Sequence, residues 1–259
     1  QDSVIGTADV PEKLLFNGFA NINYAKGPFK AGLRYESYQN VMLGIDPRYQ
    51  GQGIAYRYAS YRDNGLDITI GNFYEQFGSG MIFRAYEARA IGYDNAMDGF
   101  KIGYQIHPGI YVKGIIGRQR FYWEKSQGIV RGFDAEISMN DAVEKWANSK
   151  NRIIVGGSVV SKFERDLDPI YNLPQNVAAG AGRVQFIRGG LNLSSEVVYK
   201  VNDPSSDNNL IYKTGHGVLF NASYTQKGFG LILGAKRIDN LSFRSERAAQ
   251  NQDLMINYL

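Results

Sequence analysis

Phe29, Ala31, Leu33 and Tyr35 alternate with Lys30, Gly32, Arg34 and Glu36, and this two-residue period returns along most of the 259-residue chain. Successive side chains of a strand point to opposite faces, so such a segment separates an apolar environment from a polar one. A soluble sandwich meets that demand by packing two apolar faces together. An outer-membrane barrel meets it with lipid outside and a polar lumen inside.

Twelve strand-like runs can be read, beginning near residues 14, 29, 54, 66, 98, 110, 133, 152, 179, 191, 216 and 229. Tight turns join many of them: Lys26-Gly27-Pro28, Asp63-Asn64-Gly65, His107-Pro108-Gly109, Gly189-Gly190 and Gln226-Lys227-Gly228. Asn and Gly accept positive φ, which is the requirement of a two-residue hairpin turn. Longer connections alternate with these turns, near 39–53, 77–97, 124–132, 164–178, 201–215 and 238–252, and the connection at 140–151 is expected to hold a helical turn. Short turns at one end and long loops at the other are the asymmetry of an outer-membrane barrel.

No stretch approaches the roughly 20 apolar residues of a membrane helix, and the mean hydropathy is −0.32. A membrane barrel tolerates that value, because only every second residue must be apolar. Tyr24, Phe29, Tyr104, Tyr224 and Phe229 fall on the apolar parity beside short turns, as an aromatic girdle at a membrane boundary would. The pattern therefore predicts an all-β, antiparallel transmembrane barrel in the bacterial outer membrane, one domain spanning 1–259, in contact with outer-membrane lipid.

Strand parity extends this expectation. The first confident strand ends in a short turn, so an upward strand should precede it. Residues 2–10, with Val4, Gly6, Ala8 and Val10 on one face and Pro11 after them, are the candidate. Leu254, Ile256 and Tyr258 begin a further strand that stops at Leu259 rather than at an aromatic residue. Even strand numbers then imply about 14 strands or more. This chain is expected to be a partial barrel, with the C-terminal part lying outside it.

Residues 71–92, with the block Phe73-Tyr74-Glu75-Gln76-Phe77-Gly78-Ser79-Gly80, together with Gly117-Arg118-Gln119-Arg120 and Gly132-Phe133-Asp134-Ala135, carry a family likeness. On these residues the chain resembles a family of uncharacterised outer-membrane barrels from Bacteroidota. The resemblance implies the fold and the location, and it brings no activity with it.

The polar parity collects Lys30, Arg34, Glu36, Arg57, Asp67, Lys101, Lys113, Asp134, Glu136, Arg183, Glu196, Lys200 and Lys236 as lumen-facing candidates. Facing rows of opposite charge focus a transverse field across a water-filled pore, or cross-link a plugged interior. Leu33→Arg is expected to impair membrane assembly, and Arg34→Leu to be tolerated far better. The 77–97 connection is unusually apolar, with Met81, Ile82, Phe83, Tyr86 and Ile91. It is read as a tall strand pair, a constriction folded into the lumen, or a partner-binding surface.

Catalytic chemistry finds little support. The chain has two His and no Cys, so a thiolate metal site and a disulfide framework are excluded. His107 sits in a Pro-Gly turn, and His216 would need Ser223 or Asn221 as a partner to act as a base at the barrel rim. Asp166 with Asp168, and Asp203 with Asp207, resemble oxygen ligands for Ca²⁺, but their spacing matches no EF-hand and solvated loop acids are the better reading. Gly78-Ser79-Gly80 lacks the Lys-Ser/Thr ending of a phosphate loop. The net charge of +4 is dispersed, which argues against nucleic acid as a partner. No cofactor is expected. Three readings follow: a non-enzymatic structural or accessory subunit of a larger outer-membrane complex, touching other outer-membrane or periplasmic proteins; a passive channel for small polar solutes; and, remotely, a rim enzyme.

Overall fold

The computed structural model describes residues 16–41, 45–249 and 253–259. Twelve strands follow one another in a meander: β1 (Asn17–Lys26), β2 (Phe29–Tyr38), β3 (Gly51–Asp63), β4 (Leu66–Phe73), β5 (Met97–His107), β6 (Ile110–Phe121), β7 (Ile129–Ser138), β8 (Asn151–Phe163), β9 (Asn176–Arg188), β10 (Leu191–Lys200), β11 (Gly215–Gln226) and β12 (Phe229–Asp239). Each pairs antiparallel with its neighbours in chain order, and the short strand Glu124–Lys125 adds to β6. The strands run from 8 to 13 residues, about the length a tilted strand needs to cross a bilayer. All twelve correspond to runs read from the sequence. Fourteen strands are not reached among the described residues, and β1 and β12 do not pair with each other there. The proposed first strand at 2–10 lies outside the described residues.

The hairpin turns follow local chemistry. Asn64 (φ 47°) and Gly65 (φ 79°) both take positive φ, the geometry whose twist matches the flanking strands. The connection between β7 and β8 departs from the short-turn pattern at its end of the sheet. It holds α1 (Met139–Ala142) and a 3-10 turn at Glu144–Trp146.

One face of the sheet is convex and apolar. Tyr24, Phe29, Tyr104, Tyr224 and Phe229 lie exposed on it beside the short turns, with Ile22, Ile70, Phe133, Val159 and Leu231 exposed along the strands. The concave face changes character with height. Near the short turns it carries charge. Towards the long loops, Ile115, Val130, Val160, Ala179 and Val198 occupy the same parity and are buried.

That apolar tier seats the protein's core. Phe77, Met81, Ile82 and Phe83, from the β4–β5 connection, pack on it together with Leu241, Phe243 and Ile256 from the C-terminal segment. Of the three expectations for the 77–97 connection, the fold into the interior is the one observed. Burying each large side chain stabilises by about 1.5–3 kcal/mol. Residues 253–259 correct a second expectation, because they form no strand. Ile256 turns inward, where its carbonyl accepts from Arg84 N and its N–H donates to Phe243 O. The alternation at 254–258 thus serves a buried, irregular strap rather than a barrel wall.

A plugged and charge-lined interior as the candidate functional site

The plug begins where β4 ends. Glu75 and Gln76 pair with Ala85 and Arg84 in a small two-stranded sheet, so the segment returns on itself inside the concavity. Its tip is Gly78-Ser79-Gly80, with Gly78 at φ 52° and Gly80 at φ 95°. The backbone of Ser79 donates to Glu196 Oε2 on β10 at 2.8 Å. A Cβ at Gly78 would sit 2.7 Å from that same carboxylate oxygen, so glycine lets the tip approach the wall. Asn257 locks the second tier, donating to Met81 O and Leu241 O at 2.9 and 2.8 Å.

Beneath the plug a charged belt crosses neighbouring strands. Lys101 on β5 lies 3.9 Å from Asp67 and 3.4 Å from Glu75. Lys113 on β6 reaches Glu75 at 3.0 Å and Asp134 at 3.9 Å. Arg183 on β9 pairs with Asp134 at 2.8 Å and Glu136 at 3.3 Å. Glu196 is 4% exposed and has no ion pair among the described residues, so the belt's last acid is answered by a backbone amide of the plug. A polar cavity of about 260 Å³ opens beside it, lined by Ser79, Arg183, Gln185, Ser194, Ser195 and Asn221 among others.

Two further charged groups sit at the height of the long loops. Arg34 holds Glu36 at 2.6 Å, Asp94 at 2.8 Å and Glu87 at 3.0 Å. Arg120 holds Glu36 at 2.7 Å and Asp94 at 2.6 Å. The oxygens of Glu36, Glu87 and Asp94 converge as a metal's ligands would, but the two guanidinium groups already supply the positive charge. The second group is Lys162 and Lys200 around Asp203, at 3.0 and 3.3 Å, under the ring of Phe243.

Most of the candidates on the polar parity come to the concave face. Lys30 and Lys236 lie on that face's parity near its edges and are exposed. Arg57 does not belong with them. The pairing of β2 with β3 slips between Arg34 and Tyr35, leaving Ala55 as an extra residue, and such a bulge shifts every later side chain to the other face. Tyr56 and Tyr58 therefore turn inward, where Tyr56 stacks on Tyr74 at 5.3 Å. Arg57 shares the parity of Leu33 on the convex face, with its side chain 59% exposed and 3.8 Å from Asp98.

In the plug segment, Met81, Ile82 and Phe83 are buried, Tyr86 stacks on Tyr93 at 4.7 Å, and Ile91 stays at the surface. The suggested rim base also fails to assemble. His216 lies on the convex face against Tyr199 at 5.4 Å, whereas Asn221 and Ser223 stand on the opposite face. An odd sequence separation along one strand forbids their meeting. The loop acids are not all solvated. Asp203 is buried between its lysines, and Asp207 is held by Arg244 at 3.0 Å and by Ser242. Asp166 and Asp168 accept backbone N–H groups of their own loop.

The sequence offered no signal for Glu87, Asp94 and Phe243, because they act through contacts with strands far away in the chain. Val130, Val160 and Val198, apolar residues on the polar parity, mark the plug's seat and are the signal from which it could have been found.

Among solved structures, the chain is similar to the outer-membrane channel DcaP of Acinetobacter baumannii (TM-score 0.41, 13% identity, 86% of this chain and 66% of that one). It is also similar to the outer-membrane protein OmpT of Vibrio cholerae (TM-score 0.39, 10% identity, 93% and 86%). A BenF-like porin from Pseudomonas fluorescens Pf-5 matches with TM-score 0.37 and 9% identity over 86% and 87%. The chain spans 66% of the DcaP channel's length. No curated protein matches the sequence. A family model covers residues 1–259 in full, and the chain belongs to that family of unknown function, DUF6029.

Proposed function

We propose that this chain is a non-catalytic outer-membrane barrel protein whose interior is closed by its own loops and which works by contact with other envelope proteins. One observation carries this reading: Phe77, Met81, Ile82 and Phe83, none more than 2% exposed, are seated across the concave face where a pore would run. The apolar convex face supports lipid contact. In a bilayer an unpaired strand edge is not tolerated, so insertion requires β1 and β12 to gain strand partners.

A second reading, a passive channel for small polar solutes, draws on the charged belt and the polar cavity below the plug. It requires the plug to shift. The test is mild-detergent extraction of the full-length protein, with native mass determination and bilayer conductance measured on the same preparation. A stoichiometric partner and a silent bilayer are the expected result. A lone barrel with steady conductance would overturn the contact reading in favour of the channel.

A further inference from the structure

At the long-loop end of β3–β7 the convex face changes from apolar to basic within one row of residues. The lower row runs Ala59, Ile70, Phe100 and Ile116 across the paired strands. The row above it holds Asn72, Asp98 and Arg118 in register, with Arg57 donating its N–H to Asn72 Oδ1 at 2.9 Å. Lys125 lies 2.6 Å from Asp98, and Arg131 stands opposite Ile116 and Ser161. Against Arg57, Arg118, Lys125 and Arg131 there are two acids, Asp98 and Glu124. Arg118 is exposed and has no ion pair or hydrogen bond among the described residues. Arg131 has only a 3.5 Å hydrogen bond to Asn176 and the ring of Phe163 at 5.9 Å.

Below this basic row a shallow groove of about 390 Å³ runs down the apolar face. Ile116, Phe133 and Val159 line it, and Arg131 and Ser161 close its upper end. Arg118 and Arg131 are diagonal neighbours on adjacent strands, a spacing of about 7–8 Å. Two guanidinium groups at that distance converge on one phosphate.

We propose that this face holds a phosphorylated lipid of the outer leaflet, its phosphate between Arg118 and Arg131 and an acyl chain in the groove. The charge sits at the height where headgroups meet hydrocarbon, and it exceeds what its own acids neutralise. An acidic protein would match the arginines but not the apolar groove beneath them. The inference rests on the outer-membrane reading.

The test uses the full-length protein inserted into phosphatidylcholine vesicles with and without diphosphoryl lipid A, followed by native mass spectrometry of retained lipid. Wild type should retain lipid A at least tenfold over phosphatidylcholine, and raised salt should weaken this preference. R118A/R131A should lose the preference, whereas Arg237→Ala, another exposed basic residue on the convex face, should keep it. If the double variant does not fold, Arg131→Gln alone should reduce retention severalfold. Insertion of wild type with no lipid A preference, or an unchanged preference in R118A/R131A or in a folded Arg131→Gln variant, would overturn this inference alone. Failure of wild type to insert at all would overturn the outer-membrane reading as well.

Discussion

Arg34→Leu is the substitution on which pattern and structure disagree most. From alternation alone, exchanging one polar-face residue should matter little. The structure places the Arg34 guanidinium within 3.0 Å of three carboxylates, of Glu36, Glu87 and Asp94, with its side chain 6% exposed. After removal, Arg120 still reaches Glu36 and Asp94, and Arg89 still reaches Glu87 at 2.7 Å. Three acids then face two bases, leaving one negative charge in excess. Breaking a buried pair in this way costs about 3–5 kcal/mol. That range overlaps the roughly 2–4 kcal/mol expected for Leu33→Arg at the lipid face, so the two substitutions should cost comparable amounts. Urea unfolding in vesicles, followed by heat-modifiable gel mobility, measures both. The cycle with Glu36→Gln sharpens the test, since removing one surplus acid should return at least about 1 kcal/mol of the loss. A loss below about 1 kcal/mol for Arg34→Leu, or simple additivity with Glu36→Gln, would refute the network's importance.

Other expectations follow from single contacts. A Cβ at Gly132 would stand 2.6 Å from the Phe77 ring, so Gly132→Val should unseat the plug at a cost of about 1–3 kcal/mol and raise vesicle permeability to small solutes. Glu196→Ala should leave the Ser79 N–H without its acceptor and destabilise by about 1–3 kcal/mol, whereas Glu196→Gln should preserve that bond; equal unfolding midpoints for the two would contradict the latch. Arg48, hydrogen-bonded to the Asp46 carboxylate, holds its pKa down to about 2. A depressed folded pKa stabilises above the unfolded value of about 3.9. This contribution should be complete at neutral pH and fade as pH falls from about 4 towards 2. The pair is partly exposed, so the amplitude should be no more than about 1 kcal/mol, and Asp46→Asn should flatten that part of the stability profile.

Much of the wall was legible because its determinants are local. A period of two at Phe29–Glu36 sets which side chains share a face, and Asn64-Gly65 sets where the chain reverses, whatever the remainder does. The same local rule placed Asp134, Arg183 and Glu196 on the concave face, and it could have separated His216 from Ser223 by counting alone. It failed at Arg57, because one extra residue at Ala55 reverses the parity, and a bulge is set by pairing with β2 rather than by β3 itself. It also failed at Leu254–Tyr258, whose alternation is that of a strand while its burial is that of a strap.

What only the tertiary structure decided is what fills the concavity. The seat of Phe77 and Met81 is built from β6 to β11, and the Arg34–Glu87 and Lys200–Asp203 groups join strands to loops at the plug's height. Those contacts depend on positions far apart in the chain. Alternation reports which face a side chain takes, and only the closed packing of distant segments determines what that face meets.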